Sequence, residues 1–123
     1  MHKLLLGEKL STSLQDHSSI IMTPGGCGAL RLAAETIKAA KENATVWFSS
    51  PTWGNHFPLI ESAGLQTKEY AYYDIKTGNV DFDAMVADLE KIPAGDVVLL
   101  HACCHNPTGA DLNKEQWLSL IHI

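Results

Sequence analysis

The chain alternates between two hydrophobic rhythms. The short apolar run in "SSIIMT" (18–23), ended by Pro-Gly-Gly, predicts a buried strand. Leu30, Ala33, Ala34, Ile37 and Ala40 then recur at helical spacing and predict an amphipathic helix over about 27–41. "TVWFSS" (45–50) is a second strand, stopped by Pro51. After the loop "PTWGNH" comes a short helix near 57–63, with Gly64 as its C-cap. "LQTKEYAYY" (65–73) predicts a strand and "DIKTGN" a turn. Asp81 or Asp83 can N-cap a helix over 84–91, ended by "PAGD". "VVLLHA" (97–102) is a continuous apolar strand, and Asn113 with Gln116 forms a capping box for a last helix.

Strands and helices that alternate in this way predict an α/β fold with a mainly parallel sheet and right-handed crossovers. Ligands of such sheets bind beyond the carboxyl ends of the strands. The loops at those ends are "TPGGCG", "SPTWGNH" and "ACCHNPTG", and they hold the unusual residues of the chain.

Composition narrows the function classes. The 123 residues are 46% hydrophobic and 19% charged, as in an ordinary globular domain. No apolar run approaches the roughly 20 residues of a membrane helix, and the leucines of "MHKLLLG" are too few for a signal-peptide core. A cytoplasmic location without a membrane partner is therefore expected. A net charge of −5, with Arg31 the single arginine, gives no basic face for nucleic acid. Cys27, Cys103 and Cys104 are an odd set and read as thiols rather than a disulfide framework.

Each loop offers a chemical and a plain structural reading. In "TPGGCGALR" (23–31), glycines between strand and helix admit a ligand to the backbone, and the helix N-terminus favours an anion. The dinucleotide fingerprint fits at Gly26 and Gly28 but fails at Arg31, and no Gly-Lys completes a Walker loop, so a phosphate monoester competes with a simple glycine turn. Trp53 is either a flat apolar face for a ring or a cover for the end of the core. His56, three residues on, is either a hydrogen-bonded structural histidine or a ligand. "HACCH" (101–105) has metal-ligating residue types but not metal-ligating spacing. Its consecutive residues lack the spacers of a zinc site, extended backbone would throw them to opposite sides, and C-x-x-C redox spacing is absent. Asn106 carries an amide that suits a phenolate-type oxygen or a carboxylate, and Pro107 can follow a cis peptide bond.

Taken in order, "TPGGCGALR", "SPTWGNH", "EYAYYD…DFDAM", "AGDVVLLHACCHNPTGADL" and "EQW" resemble the aspartate and aromatic-amino-acid aminotransferases, fold-type I enzymes that use pyridoxal 5′-phosphate (PLP). The resemblance runs from about Lys3 to Trp117. It implies part of the PLP-binding large domain over 1–117, with an incomplete, mainly parallel sheet. Gly26 and Cys27 would bind the cofactor phosphate through backbone N–H groups. Trp53 would stack on the pyridine ring and, with Asn106, hold the substrate carboxylate, while Asn106 would also hydrogen-bond the 3′ oxygen. His56 and His101 would stand behind the acidic residue that pairs with the pyridine nitrogen. Pro51 and Pro107 would follow cis bonds. Cys27 stands where the family usually has Thr or Ser, and a thiol is the weaker donor.

The resemblance also marks what the chain does not hold. The Schiff-base lysine, the pyridine-pairing aspartate, a supporting tyrosine and two substrate-clamping arginines belong further along such a chain. Lysines 3, 9, 38, 41, 68, 76, 91 and 114 all lie away from the three loops, so no catalytic residue is assigned. No metal is expected. The whole protein would be a homodimer acting on amino acids and 2-oxo acids, and the 123-residue piece would be inactive. Met1 is expected to be internal to a longer chain. Leu118 to Ile123, "LSLIHI", match a translation of CTG TCT CTT ATA CAC ATC, which resembles a transposase end used as a sequencing adapter, so 118–123 are expected to be a non-native tail. The alternative function is a small non-enzymatic metal- or nucleotide-binding α/β module.

Overall fold

In the computed structural model, described over residues 2–121, the elements run α1 (His2–Ser13), α2 (Gly25–Ala40), β1 (Thr45–Ser50), α3 (His56–Glu61), β2 (Gln66–Ala71), β3 (Tyr73–Asp74), β4 (Asn79–Val80), α4 (Phe82–Leu89), β5 (Val97–Val98) and α5 (Lys114–Leu120). β1 lies at the centre of a three-stranded parallel sheet of order β2-β1-β5. β3 and β4 form a separate antiparallel hairpin.

Alternation along β1 divides the core in two. Val46 and Phe48 face one side, where they pack with Ala34 of α2, Ile60 of α3 and Leu65. Trp47 faces the other side, with Tyr70, Tyr72, Met85 of α4 and Leu120 of α5. Helices thus cover both faces, the arrangement that parallel sheets require. Asp96, just before β5, ties the sheet together: its carboxylate accepts from the Thr45 N–H (3.1 Å) and from the Trp47 indole N–H (3.0 Å). The two outer strands differ in character. β2 carries the exposed Gln66, Lys68 and Glu69, with the Lys68 ammonium 5.1 Å from the Trp47 ring centre. β5 is two residues long and borders a groove of about 660 Å³ lined in part by Leu89, Ile92, Val98, Leu100 and Leu120.

Most of the patterned elements form, with instructive differences. Asp81 is the N-cap of α4, accepting from Ala84 N–H at 3.1 Å, and Asn113 and Gln116 complete the capping box of α5. Gly64 has φ +81° and closes the turn after α3 through its N–H to Glu61 O (2.8 Å). The strand expected at 18–23 is absent. No described strand stands beside this segment to satisfy a ladder, and Ile21 and Met22 are 69% and 81% exposed. The strand expected at 65–73 stops at Ala71, because Tyr72 O turns to accept Asp81 N–H (2.8 Å) and the chain enters the β3–β4 hairpin. The strand expected at 97–102 pairs only at Val97 and Val98, with Leu99 N–H still reaching Trp47 O (2.9 Å) before the chain bends. α1 has no counterpart in the hydrophobic pattern: Gly7 breaks it at φ 72°, and Leu4, Leu5 and Leu10 are exposed rather than gathered on one buried face. Leu118 to Leu120 continue α5, while His122 and Ile123 of the expected tail, like Met1, lie outside the described residues.

Phe48 is fully buried against the ring of Phe57. Phe48→Ala is expected to lower the unfolding free energy by about 3–5 kcal/mol, whereas Asp81→Ala, which removes one cap, should cost about 1 kcal/mol. Urea denaturation of both variants beside the parent chain checks the ratio.

Candidate active site

Three histidines meet where β1 and β5 release the chain. Ser49, next to last in β1, is buried, and its hydroxyl shares a 2.8 Å hydrogen bond with His105 Nε2. His105 Nδ1 bonds Thr108 Oγ1 at 2.7 Å, so both nitrogens of this 2%-exposed ring are used. Tyr72 stacks on the ring at 4.0 Å, and its hydroxyl donates to Ala110 O at 2.6 Å. His101 lies 4.4 Å from His105 and edge-on to His56 at 5.3 Å. His56, buried at the start of α3, stacks on Phe48, meets the edge of Trp53 at 5.4 Å, and bonds Thr52 Oγ1 through Nδ1 at 2.8 Å.

The loop after β5 is held by Asp111. One carboxylate oxygen accepts from Cys104 N–H and the other from His105 N–H, each at 2.8 Å. Cys104 takes φ +53° in this turn, and the Ser50–Pro51 and Asn106–Pro107 peptides are cis. These two backbone donations hold the Asp111 carboxyl below the usual carboxylate range. Burial lowers all three histidines, with His101 adding to the effect at His56 and His105, and His105 falls to about 4. The three imidazoles are therefore neutral at pH 7. Asn106 N–H donates to His101 Nδ1 (3.2 Å), which puts the ring proton of a neutral His101 on Nε2. That nitrogen is buried with no partner among the described residues: a donor aimed where an acceptor would sit.

The family model for aminotransferase class I and II matches residues 3–123. The chain belongs to this family. It is 45% identical over 121 residues to the aspartate aminotransferase of Escherichia coli, covering 98% of this chain and 31% of that protein. It is 44% identical over 121 residues to the aromatic-amino-acid aminotransferase of Pseudomonas aeruginosa, at 98% and 30% coverage. Among solved structures, the aromatic-amino-acid aminotransferase of Burkholderia pseudomallei covalently bound to pyridoxal phosphate superposes with a TM-score of 0.89 at 42% identity, over 98% of this chain and 30% of that one. The chain thus spans about three tenths of the length of these relatives. The fold is that of the fold-type I PLP-dependent aminotransferases.

Within this aminotransferase fold, the contacts join Trp53, His56, His101 and Asn106 into one chain of neighbours. Gly26 and Cys27 are exposed in the first turn of α2, and no hydrogen bond or ring contact among the described residues links them to that chain. Their turn nevertheless suits an anion. Pro24 provides no side-chain cap, the first turn carries no acid, and a helix N-terminus is electropositive. The two glycines that bracket Cys27 differ. A Cβ on Gly28 would come within 3.1 Å of the Pro24 ring, which would have to give way by a few tenths of an ångström, whereas a Cβ on Gly26 would meet nothing within 4 Å. Gly26 has no internal reason to lack a side chain, which is what close approach of a ligand to the backbone would produce. The open cradle at Gly26 and the unpartnered Nε2 donor of His101 are each compatible with the phosphorylated cofactor that the family implies.

The loop patterns do not single out Ser49, Tyr72, Thr108 and Asp111, and they treat His105 only as a neighbour of Asn106. A signal exists for one of these: Tyr70 and Tyr72 share a face at period two in "EYAYY". Among the described residues, no lysine is bonded into the cluster. Lys38 reaches Glu42 O and Gly64 O, Lys41 reaches Ala94 O, and Lys3 and Lys91 pair with Glu8 and Asp88.

The histidine cluster has a pH signature. His105 titrates near 4 when folded and near about 6.5 when unfolded. Between those values the unfolded chain binds more protons, so stability is complete above pH 6.5 and falls as pH drops towards 4. Denaturation midpoints measured across this range should decline with acid, and less so in His105→Asn. Equal slopes would remove His105 as the cause.

Proposed function

We propose that this chain is part of a PLP-dependent aminotransferase that moves an amino group between aspartate, glutamate or an aromatic amino acid and a 2-oxo acid. The carrying observation is the set of loops at the sheet's carboxyl end: an uncapped, glycine-opened α2 N-terminus together with a neutral histidine cluster beside Trp53 and Asn106. Gly26 and Cys27 bind the cofactor phosphate through backbone N–H groups. Trp53 offers its face to the pyridine ring and its indole N–H to the substrate carboxylate. The Asn106 amide donates to the cofactor's 3′ oxygen and shares in holding that carboxylate. His56 and His101, kept neutral by burial, support the acceptor that pairs with the pyridine nitrogen. When bound, PLP supplies the electron sink for the amino-group carbon.

The chain itself contributes binding and orientation rather than proton transfer, since no lysine among the described residues is bonded into the cluster. The catalytic lysine and the substrate arginines belong to the part of the whole protein that this chain, at about three tenths of its relatives' length, does not span. We also propose a homodimeric, cytoplasmic whole protein. The downstream nucleotide sequence tests the enzyme reading directly: it should encode a lysine after a serine-rich stretch, and its absence would overturn that reading. The same record tests Leu118–Ile123 as an adapter-derived tail, which codons other than the adapter's would exclude.

Two measurements on the complete reading frame follow. Transamination of aspartate or phenylalanine with 2-oxoglutarate should be present there and absent from the 123-residue chain. Cys27→Thr should tighten PLP binding by about 1 kcal/mol, roughly fivefold in Kd, because a hydroxyl replaces a thiol as phosphate donor. Spectroscopic titration of the apoenzyme with PLP checks this, and equal or weaker binding counts against the assignment of Cys27.

A further inference from the structure

Cys103 and Cys104 take no part in the proposed cofactor contacts, yet both are exposed at the edge of the same loop. Extended backbone would send neighbouring side chains to opposite sides. Cys104 is not extended: its φ of +53° breaks the alternation, and Asp111 fixes the turn by accepting from both Cys104 and His105 N–H. The neighbouring Cys103 thiol, through hydrogen bonding and charge, raises the Cys104 thiol above its ordinary range. Cys27 is also exposed but stands alone at the start of α2.

We propose that Cys103 and Cys104 form a preset vicinal dithiol site for trivalent thiophilic metalloids of the arsenoxide class. With an arylarsenoxide, two S–H bonds break and two As–S bonds form, while both protons leave with the arsenoxide oxygen as one water. Arsenic stays trivalent throughout and nothing is oxidised. The second As–S bond is intramolecular, so it forms at the high effective concentration that a short link provides. A single thiol such as Cys27 lacks this advantage. The site does not depend on the aminotransferase reading.

The test uses the reduced 123-residue chain, phenylarsine oxide as probe and intact-mass detection. One adduct is expected that survives excess glutathione and is removed by 2,3-dimercaptopropanol. Cys103→Ser and Cys104→Ser should each abolish it, and Cys27→Ser should keep it. A glutathione-resistant adduct in either single-serine variant of the pair, or its loss in Cys27→Ser, overturns the assignment. Presetting is read separately. The native chain should hold the probe about tenfold more tightly than the same chain in urea, and Asp111→Asn should fall towards the urea value. Equal affinity in native and unfolded chain, or an unchanged affinity in Asp111→Asn, overturns the claim that the turn prepares the pair.

Discussion

The site depends on one buried ring. His105 spends Nε2 on Ser49 and Nδ1 on Thr108, so it joins the end of the central strand to the loop that follows β5. Tyr72 stacked above it adds the end of β2 to the same junction. Three separate segments are thereby locked together by groups that leave no polar atom of that ring unsatisfied, and a buried polar network holds its shape only when every member is paired. His101 and Asn106 inherit their positions from this lock, since His101 packs on His105 and Asn106 donates its N–H back to His101.

From that lock the electrostatics follow. Burial keeps the imidazoles uncharged, so the histidines act as a hydrogen-bonding scaffold rather than as a cationic patch. The positive potential of the region comes instead from the uncapped N-terminus of α2, a fixed dipole that acid or base does not switch off. In the proposed function, an anionic, ring-bearing ligand would suit that division, with one end at backbone N–H groups and the other at Trp53 and amide or imidazole donors.

The parts legible in the sequence were those governed by short-range rules. The central strand at Thr45–Ser50, the Asp81 cap, the Asn113–Gln116 box and the turn at Gly64 depend on residues within a few positions of one another. The expected strands that failed or shortened depend on neighbours far along the chain. "SSIIMT" has the right residues but no described partner, and "VVLLHA" pairs only as far as β1 accompanies it. The site followed the same division. Trp53, His56 and Asn106 are announced by their glycine and proline surroundings. Ser49 and Asp111 are ordinary in sequence and acquire meaning only through contacts to His105, 56 and 6 positions away. The extended backbone assumed for Cys103 and Cys104 does not form, since Cys104 takes φ +53°, and nothing in "ACCHN" reveals it.

The unequal rims of the sheet give the molecule a direction. On the β2 side, Lys68 and Glu69 make the strand a poor template for another strand, since adding one would strip water from charges. On the β5 side, the paired residues Val97 and Val98 carry no charge, and the groove beside them is lined mainly by apolar side chains, with Glu90 and Asp96 also in its wall. Growth of the sheet, whether in correct folding or in misassociation, is therefore biased to one side. A self-association of this chain driven by that rim would be head-to-tail only at the cost of burying the guarded edge, so it favours paired copies over open fibrils.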